Sequence, residues 1–149
     1  MSVSVFSAAK HLAERSGYSL SNLKMQKILY LAHMFYMGEN EGKPLISDRF
    51  EAWDYGPVNP ELYHELKIYG AEPVGNIFRQ YPDLPEGEER SAIDVVCDTL
   101  RNVSAGKLVA ATHQRDGAWE KHYLQGIKGR VIPNEDILQE YRERFGGNG

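Results

Sequence analysis

The five histidines, the single cysteine and the 21 carboxylates are the residues from which this chain could build a reactive site. His11, His33, His64, His113 and His122 are nowhere three or four positions apart, the spacing that sets two imidazoles on one helix face. No metal site is therefore expected. The phosphate-binding G-x-x-x-x-G-K-[ST], the dinucleotide G-x-G-x-x-G, the zinc motif H-E-x-x-H and the nucleophile elbow G-x-S-x-G are all missing. Cys97 lies in the apolar run 93–100, which suits a buried inert thiol better than a nucleophile, and alone it cannot close an intramolecular disulfide. Glu86, Glu88 and Glu89 flank a Pro/Gly loop and read as a solvated edge; Asp94 and Asp98, one helical turn apart, read as an exposed polar face. An enzyme would need a pocket pairing His113 or His64 with a carboxylate of shifted pKa. The expectation is no enzyme and no cofactor.

The residues suited to binding are more distinctive. Lys24 and Lys27 stand three apart, with Gln26 between them, on the most apolar helix of the chain. Their stems are expected to cover apolar surface while the ammonium heads reach water; the functional alternative is a contact with a partner or with Asp54. The segment Trp53, Asp54, Tyr55, Gly56, Pro57, Val58 combines two aromatics with a rigid Gly-Pro corner. Trp53 is expected as a core plug, and Tyr55 as an equal candidate for core or interface, since Trp and Tyr dominate interface hot spots. Trp119 reads as an anchor.

These residues need helices to hold them. Ser2 or Ser4 can cap a first helix to about Arg15, stopped by Gly17. Ser21 can cap a second, about 22–37, ended by Gly38 and apolar around nearly its whole circumference, as a central helix must be. Short extended pieces or a small hairpin are expected near 45–53 and again at 127–132, with Gly56-Pro57 breaking the chain. Asn59 and Pro60 supply N-cap and first residue of a third helix ending at Gly70. Residues 71–87 form a long loop, of the kind that is functional or mobile. Helices over about 88–103 and 105–113 (capped by Ser104) follow, then a turn at Asp116-Gly117 and a last helix, 135–145, capped by Asn134. The predicted architecture is mainly α: a single-domain helical bundle over 1–145 around the central helix, with a disordered tail at 146–149.

The charge balance excludes several partners. The net charge is -4, with 7 basic against 9 acidic side chains in residues 1–75 and 10 against 12 in the remainder. No basic footprint for nucleic acid exists, and no separate helix-turn-helix for operator binding is evident. The longest run free of Asp, Glu, Lys and Arg is 28–38, too short to span a bilayer, which takes about 20 residues. The first 15 residues lack a basic lead and an apolar core, so no secretory signal is read there, and a lone cysteine fits a reducing cytoplasmic compartment.

The run LKMQKILYLAH at 23–33, containing Gln26 and Tyr30, resembles the L-K-L-Q-K-L-L-Y-Y-A helix of the Panacea domain of GepA-like and SocA-like phage-associated proteins. GKPLI at 42–46, FEAW at 50–53, YGPV at 55–58 and PELY at 60–63, which ends on Tyr63, follow in matching order. Thr112-His113 to Trp119 is similar to the family's S/T-H…P-W element, with Ala118 standing where proline often precedes the tryptophan. The likeness covers about residues 5–142. It implies a compact helical antitoxin of a two-gene module, often prophage- or mobile-element-encoded, that binds a cognate toxin from a neighbouring gene. One branch delivers its toxin to a Clp-type AAA+ protease. A homo-oligomer is compatible with it; no membrane or strong nucleic-acid binding is expected. The candidate toxin contacts are Lys24, Lys27, Asp54, Tyr55, Val58 and the 71–87 loop; Gln26, Tyr30, Trp53, Gly56, Pro57, Tyr63, His113 and Trp119 are read as structural.

Overall fold

The structure is a computed structural model that describes residues 2–146; positions 147–149 of the tail expected to be disordered lie outside the described residues. Its helices are α1 (Val5–Arg15), α2 (Asn22–Glu39), α3 (Pro60–Leu66, continued by a 3-10 turn Lys67–Tyr69), α4 (Glu88–Leu100), α5 (Ala105–Thr112), α6 (Ala118–His122) and α7 (Asn134–Phe145). Strands β1 (Glu51–Trp53) and β2 (Gly56–Val58) form an antiparallel hairpin in which Glu51 faces Val58, Ala52 faces Pro57 and Trp53 faces Gly56. The mainly helical bundle read from the sequence is the architecture observed.

Helix α2 sits at the centre because it has no polar face to turn outward. Met25, Ile28, Leu29, Tyr30, Ala32 and Met34 are wholly buried, and even Gln26, Lys27 and His33 are inside. Each large apolar side chain so buried contributes about 1.5–3 kcal/mol. The helices α1, α4, α5 and α7 and strand β2 all pack on it. Ser4, Ser21, Asn59 and Ser104 accept hydrogen bonds from Phe6, Lys24, Leu62 and Lys107 N–H groups, capping the first, second, third and fifth helices.

Several local features differ from the sequence reading. Helix α2 runs through Gly38 to Glu39, because Gly38 is a contact glycine: a Cβ there would lie 2.2 Å from the Tyr141 ring on α7. Asn134 does not cap α7; Pro133 precedes the helix, and the Asn134 Oδ1 instead lies 2.9 Å from His33 Nε2. His33 Nδ1 accepts from Ile46 N–H (3.1 Å), so a neutral imidazole ties α2 to the 45–46 segment and to α7. Burial holds its pKa below the ordinary 6.5. Finally, Gly56-Pro57 opens β2 instead of breaking the chain. Pro57 lacks an N–H, and β2 is an edge strand, where that lack does not cost a ladder bond.

The outer edge of β1 is covered by the 130–132 stretch. Ala52 N–H donates to Arg130 O and Ile132 N–H to Phe50 O, both at 2.9 Å. The extended piece expected at 127–132 is thus present as isolated bridges, at Ile127 and Val131. Asp94 and Asp98 do more than face solvent: Asp94 meets His11 at 2.6 Å, and Asp98 takes a two-pronged contact from Arg15 at 3.0 and 2.6 Å, joining α4 to α1. The 71–87 loop is strapped down. Val74, Phe78 and Leu84 are buried, Val74 N–H donates to Leu20 O at 2.8 Å, and Tyr81 stacks on Phe6 at 4.8 Å.

Candidate functional site: a braced hairpin corner

The hairpin turn, Asp54 and Tyr55, is the point to which the distinctive residues converge, and it is held from below by α2. Lys27 is wholly buried, and its Nζ donates to the Pro57 carbonyl at 2.8 Å. Burial pushes its pKa down to about 7, because a charged ammonium is costly away from water. One residue earlier on the helix, Gln26 makes a reciprocal pair with the Asn59 backbone: Nε2 donates to Asn59 O (3.2 Å), and Oε1 accepts from Asn59 N–H (2.8 Å). Asn59 in turn donates to Arg49 O (2.8 Å) and caps α3. The Gln26-Lys27 pair thus fixes the strand leaving the turn, and the expectation that Lys27 sends its head to water does not hold.

Gly56 is required by two independent facts. Its φ is +108°, a conformation L side chains rarely adopt, and an added Cβ would lie 2.8 Å from Thr112 Oγ1 and 2.9 Å from Lys27 Cε. The close approach lets α2 and the end of α5 grip the turn from both sides. His113 sits on the same spot, 3.4 Å from that Cβ position, and its pKa is lowered by burial and then by the Lys27 charge. Neither His113 nor His64 contacts a carboxylate. The imidazole–carboxylate pairs are His11–Asp94 and His122–Asp136, each at 2.6 Å.

The other side of the corner is an aromatic stack. His113, Trp119 and Tyr123 lie face to face, with centroids 3.6 Å and 4.5 Å apart. Trp119 Nε1 donates to Trp53 O at 2.8 Å, and Tyr123 OH donates to Asp54 Oδ1 at 2.5 Å, which raises the Tyr123 pKa. Trp119 is held by Glu140 of α7, a nearly buried carboxylate that accepts from Ala118 N–H (2.8 Å) and from Arg144 (2.7 Å). Glu140, Tyr123 and Lys128 have no motif that marks them in the sequence; only the folded chain brings them to the corner.

Trp53 corrects the expectation of a core plug. It is half-buried, with Nε1 donating to Glu51 Oε1 (3.0 Å), its ring edge-on to Tyr63 at 4.8 Å, and the Lys128 ammonium over its face at 4.4 Å. The buried indole is Trp119. Trp53, Tyr55 and Tyr63 line a cleft of about 400 Å³ whose floor reaches Gln26, Val58 and Asn22. The Asn22 Oδ1 atom is buried there without a hydrogen-bond partner. Tyr30, edge-on to Phe50 at 5.3 Å, lies deep in the core, and its hydroxyl is also buried and unpartnered.

Of the candidate contacts, Asp54 and Tyr55 are exposed, Tyr55 by 70 %. Lys24 is half-buried at the edge of α2, its Nζ donating to Arg101 O at 2.7 Å. Lys27 and Val58 are buried and present nothing to a partner. Beside Tyr55 the 124–131 loop exposes Leu124, Ile127 and Val131 around Lys128. The arrangement offers a rigid, mixed aromatic and apolar surface with one carboxylate, the composition of a protein interface. Among the described residues no group of three or more His, Cys, Asp or Glu is placed to hold a metal, and no helix is long and apolar enough to cross a membrane.

A family model described as "Antitoxin SocA-like, Panacea domain" matches residues 25–120, which take in most of α2, the hairpin and the start of the Trp119 helix. Antitoxin SocA of Caulobacter vibrioides (strain NA1000 / CB15N) is 34% identical over 116 residues. That likeness covers 68% of this chain and 58% of the relative, so the chain spans little more than half of that protein's length. No solved structure matches. The chain belongs to the SocA-like Panacea domain family.

Proposed function

We propose that this protein is an antitoxin that neutralises a cognate toxin by direct binding, and that the exposed Asp54-Tyr55 turn is part of the contact. The observation that carries the reading is the contrast at the corner. Lys27, Gln26 and Trp119 hold the turn by its backbone, while Tyr55 at its tip stays 70 % exposed with no intramolecular task. A braced aromatic costs little conformational entropy on binding, which is how a small patch yields useful affinity. The name of the similar Caulobacter protein supplies the class of partner. The toxin is expected from a neighbouring gene, prophage- or mobile-element-borne, acting in the cytoplasm. The net charge of -4 favours fast encounter with a basic toxin face at low salt.

Co-expression tests this. The neighbouring reading frame should arrest growth alone and cease to do so with this protein present. A neighbour harmless by itself, or toxic despite the protein, defeats the reading. Toxin half-life in cells with and without Clp protease separates the modes: an unchanged half-life with full rescue means occlusion, and a shortened one means delivery to the protease in its place.

A further inference from the structure

A groove larger than the hairpin cleft lies elsewhere on the molecule. Helix α4 leaves apolar side chains at the edge of its core face. Ile93 and Cys97 enter the core, Ala92 and Leu100 are half-buried against its edge, and Val95 on the outer side is 63 % exposed. Opposite them stand Phe35, Tyr141 and Phe145, with Phe35 and Phe145 rings 4.8 Å apart. Between these walls runs a groove of about 910 Å³. Its α4 wall extends over the twelve steps from Glu88 to Leu100, about 18 Å at helical rise, the length of roughly three helical turns.

Two features say what fits. The walls are helices whose backbone groups are already bonded within themselves, so the groove offers no strand edge to an extended peptide. An occupant has to satisfy its own backbone, as a helix does, and bind through its side chains. Among the described residues the charged ones lining the groove are Glu39 and Glu88, with no Lys or Arg. The Glu39 carboxylate accepts a hydrogen bond from Tyr141 OH, which pins it at the mouth. A second copy of this chain, with its net charge of -4, is poorly matched to two carboxylates.

The geometry points to a docking groove for an amphipathic helix of a different, basic partner protein, its apolar stripe between α4 and α7 and a Lys or Arg at the end over Glu39 and Glu88. The inference goes beyond the hairpin reading and does not depend on it.

The probe is a fluorescein-labelled 16-residue helical peptide with Leu at i, i+3, i+4, i+7 and i+11 and two Lys at one end, read by fluorescence anisotropy with the whole protein. Saturable binding in the micromolar range is expected, about tenfold weaker or more for Val95→Glu at unchanged melting temperature. Glu88→Lys should weaken the Lys-ended peptide and favour its Glu-ended counterpart. Tyr55→Ala should leave binding untouched. Equal binding by a peptide of the same composition with scrambled periodicity would overturn the inference. So would indifference to Val95→Glu, or no saturable binding. A dimer of this protein that Val95→Glu dissociates would replace the foreign helix with a second copy.

Discussion

Replacing Lys27 by Met changes the buried charge beneath the hairpin and keeps the stem that packs against Gly56. Burial moves the Lys27 pKa from its ordinary 10.5 to about 7. At neutral pH and below, this corresponds to about 5 kcal/mol of stability forgone relative to a lysine that stays solvated. Against it stands the Nζ hydrogen bond to Pro57 O (2.8 Å); losing that bond strands a buried carbonyl at about 1–3 kcal/mol. Lys27→Met should therefore be more stable than the natural protein by about 2–4 kcal/mol at pH 6.5. The sign of the pH dependence follows from the depressed pKa. Between about pH 7 and 10.5 the unfolded chain binds more protons than the folded one, so the natural protein gains stability as pH rises, by up to about 1.4 kcal/mol per pH unit. Near pH 9.5 only about 1.4 kcal/mol of the penalty remains, and the variant should be equal or less stable. Urea unfolding of both proteins at pH 6.5, 8 and 9.5 reads the difference directly, other titrating groups cancelling in the comparison. Profiles that stay parallel across this range would mean that Lys27 keeps its proton in contact with water, and the account of the corner would fail.

Tyr55→Ala should alter unfolding stability by less than about 0.5 kcal/mol, since the side chain is 70 % exposed, yet weaken toxin binding about tenfold or more by calorimetry; an equal loss in melting temperature would place Tyr55 in the fold instead. Gly56→Ala should cost about 2 kcal/mol or more, and Gly17→Ala about 1. Both have positive φ, +108° and +68°, but only Gly56 is crowded, so denaturation curves that move equally would deny the close approach of Thr112 and Lys27. His33 has a lowered pKa in the fold, so its contribution is complete above the ordinary 6.5 and is lost as pH falls below that. His33→Gln should flatten the acid limb of the stability–pH curve, and an unchanged limb would point to another group.

The helical layout was legible because the signals were local. Ser21, Asn59-Pro60 and Ser104 mark helix starts through a bond formed within three residues, and α2 announces its place by being apolar on every side. What misled were residues whose task is set by distant partners. Gly38 looks like a stop but makes room for Tyr141, 103 positions on. Asn134 looks like a cap but serves His33, and Lys27 looks like a snorkelling side chain but serves Pro57. Trp53 and Trp119 carry the same indole, and sequence pattern alone does not say which is covered. Trp119 is, because Glu140 draws the start of α6 inward by the Ala118 N–H, while Trp53 stands at the hairpin edge under Lys128.

The same distinction separates what family membership tells from what it leaves to the individual chain. Gln26, Lys27, Gly56, Pro57 and Trp119, which carry much of the resemblance, are all buried and act on backbone atoms of the corner. Apart from Gln26 at the floor of the cleft they present no surface, so they hold the turn in place whatever binds. The surface the corner leaves exposed comprises Asp54, Tyr55, the outer part of Trp53 and the 124–131 loop. Substitution of Tyr55, Leu124, Ile127 or Val131 costs little stability, whereas Trp53 and Asp54 are tied to Glu51 and Tyr123 by hydrogen bonds and are less free to change. One braced scaffold can therefore present different chemistry at its tip without refolding. The buried part of the motif is for this reason a poor guide to a partner, and the exposed positions in and beside it are where partner choice has physical room to change.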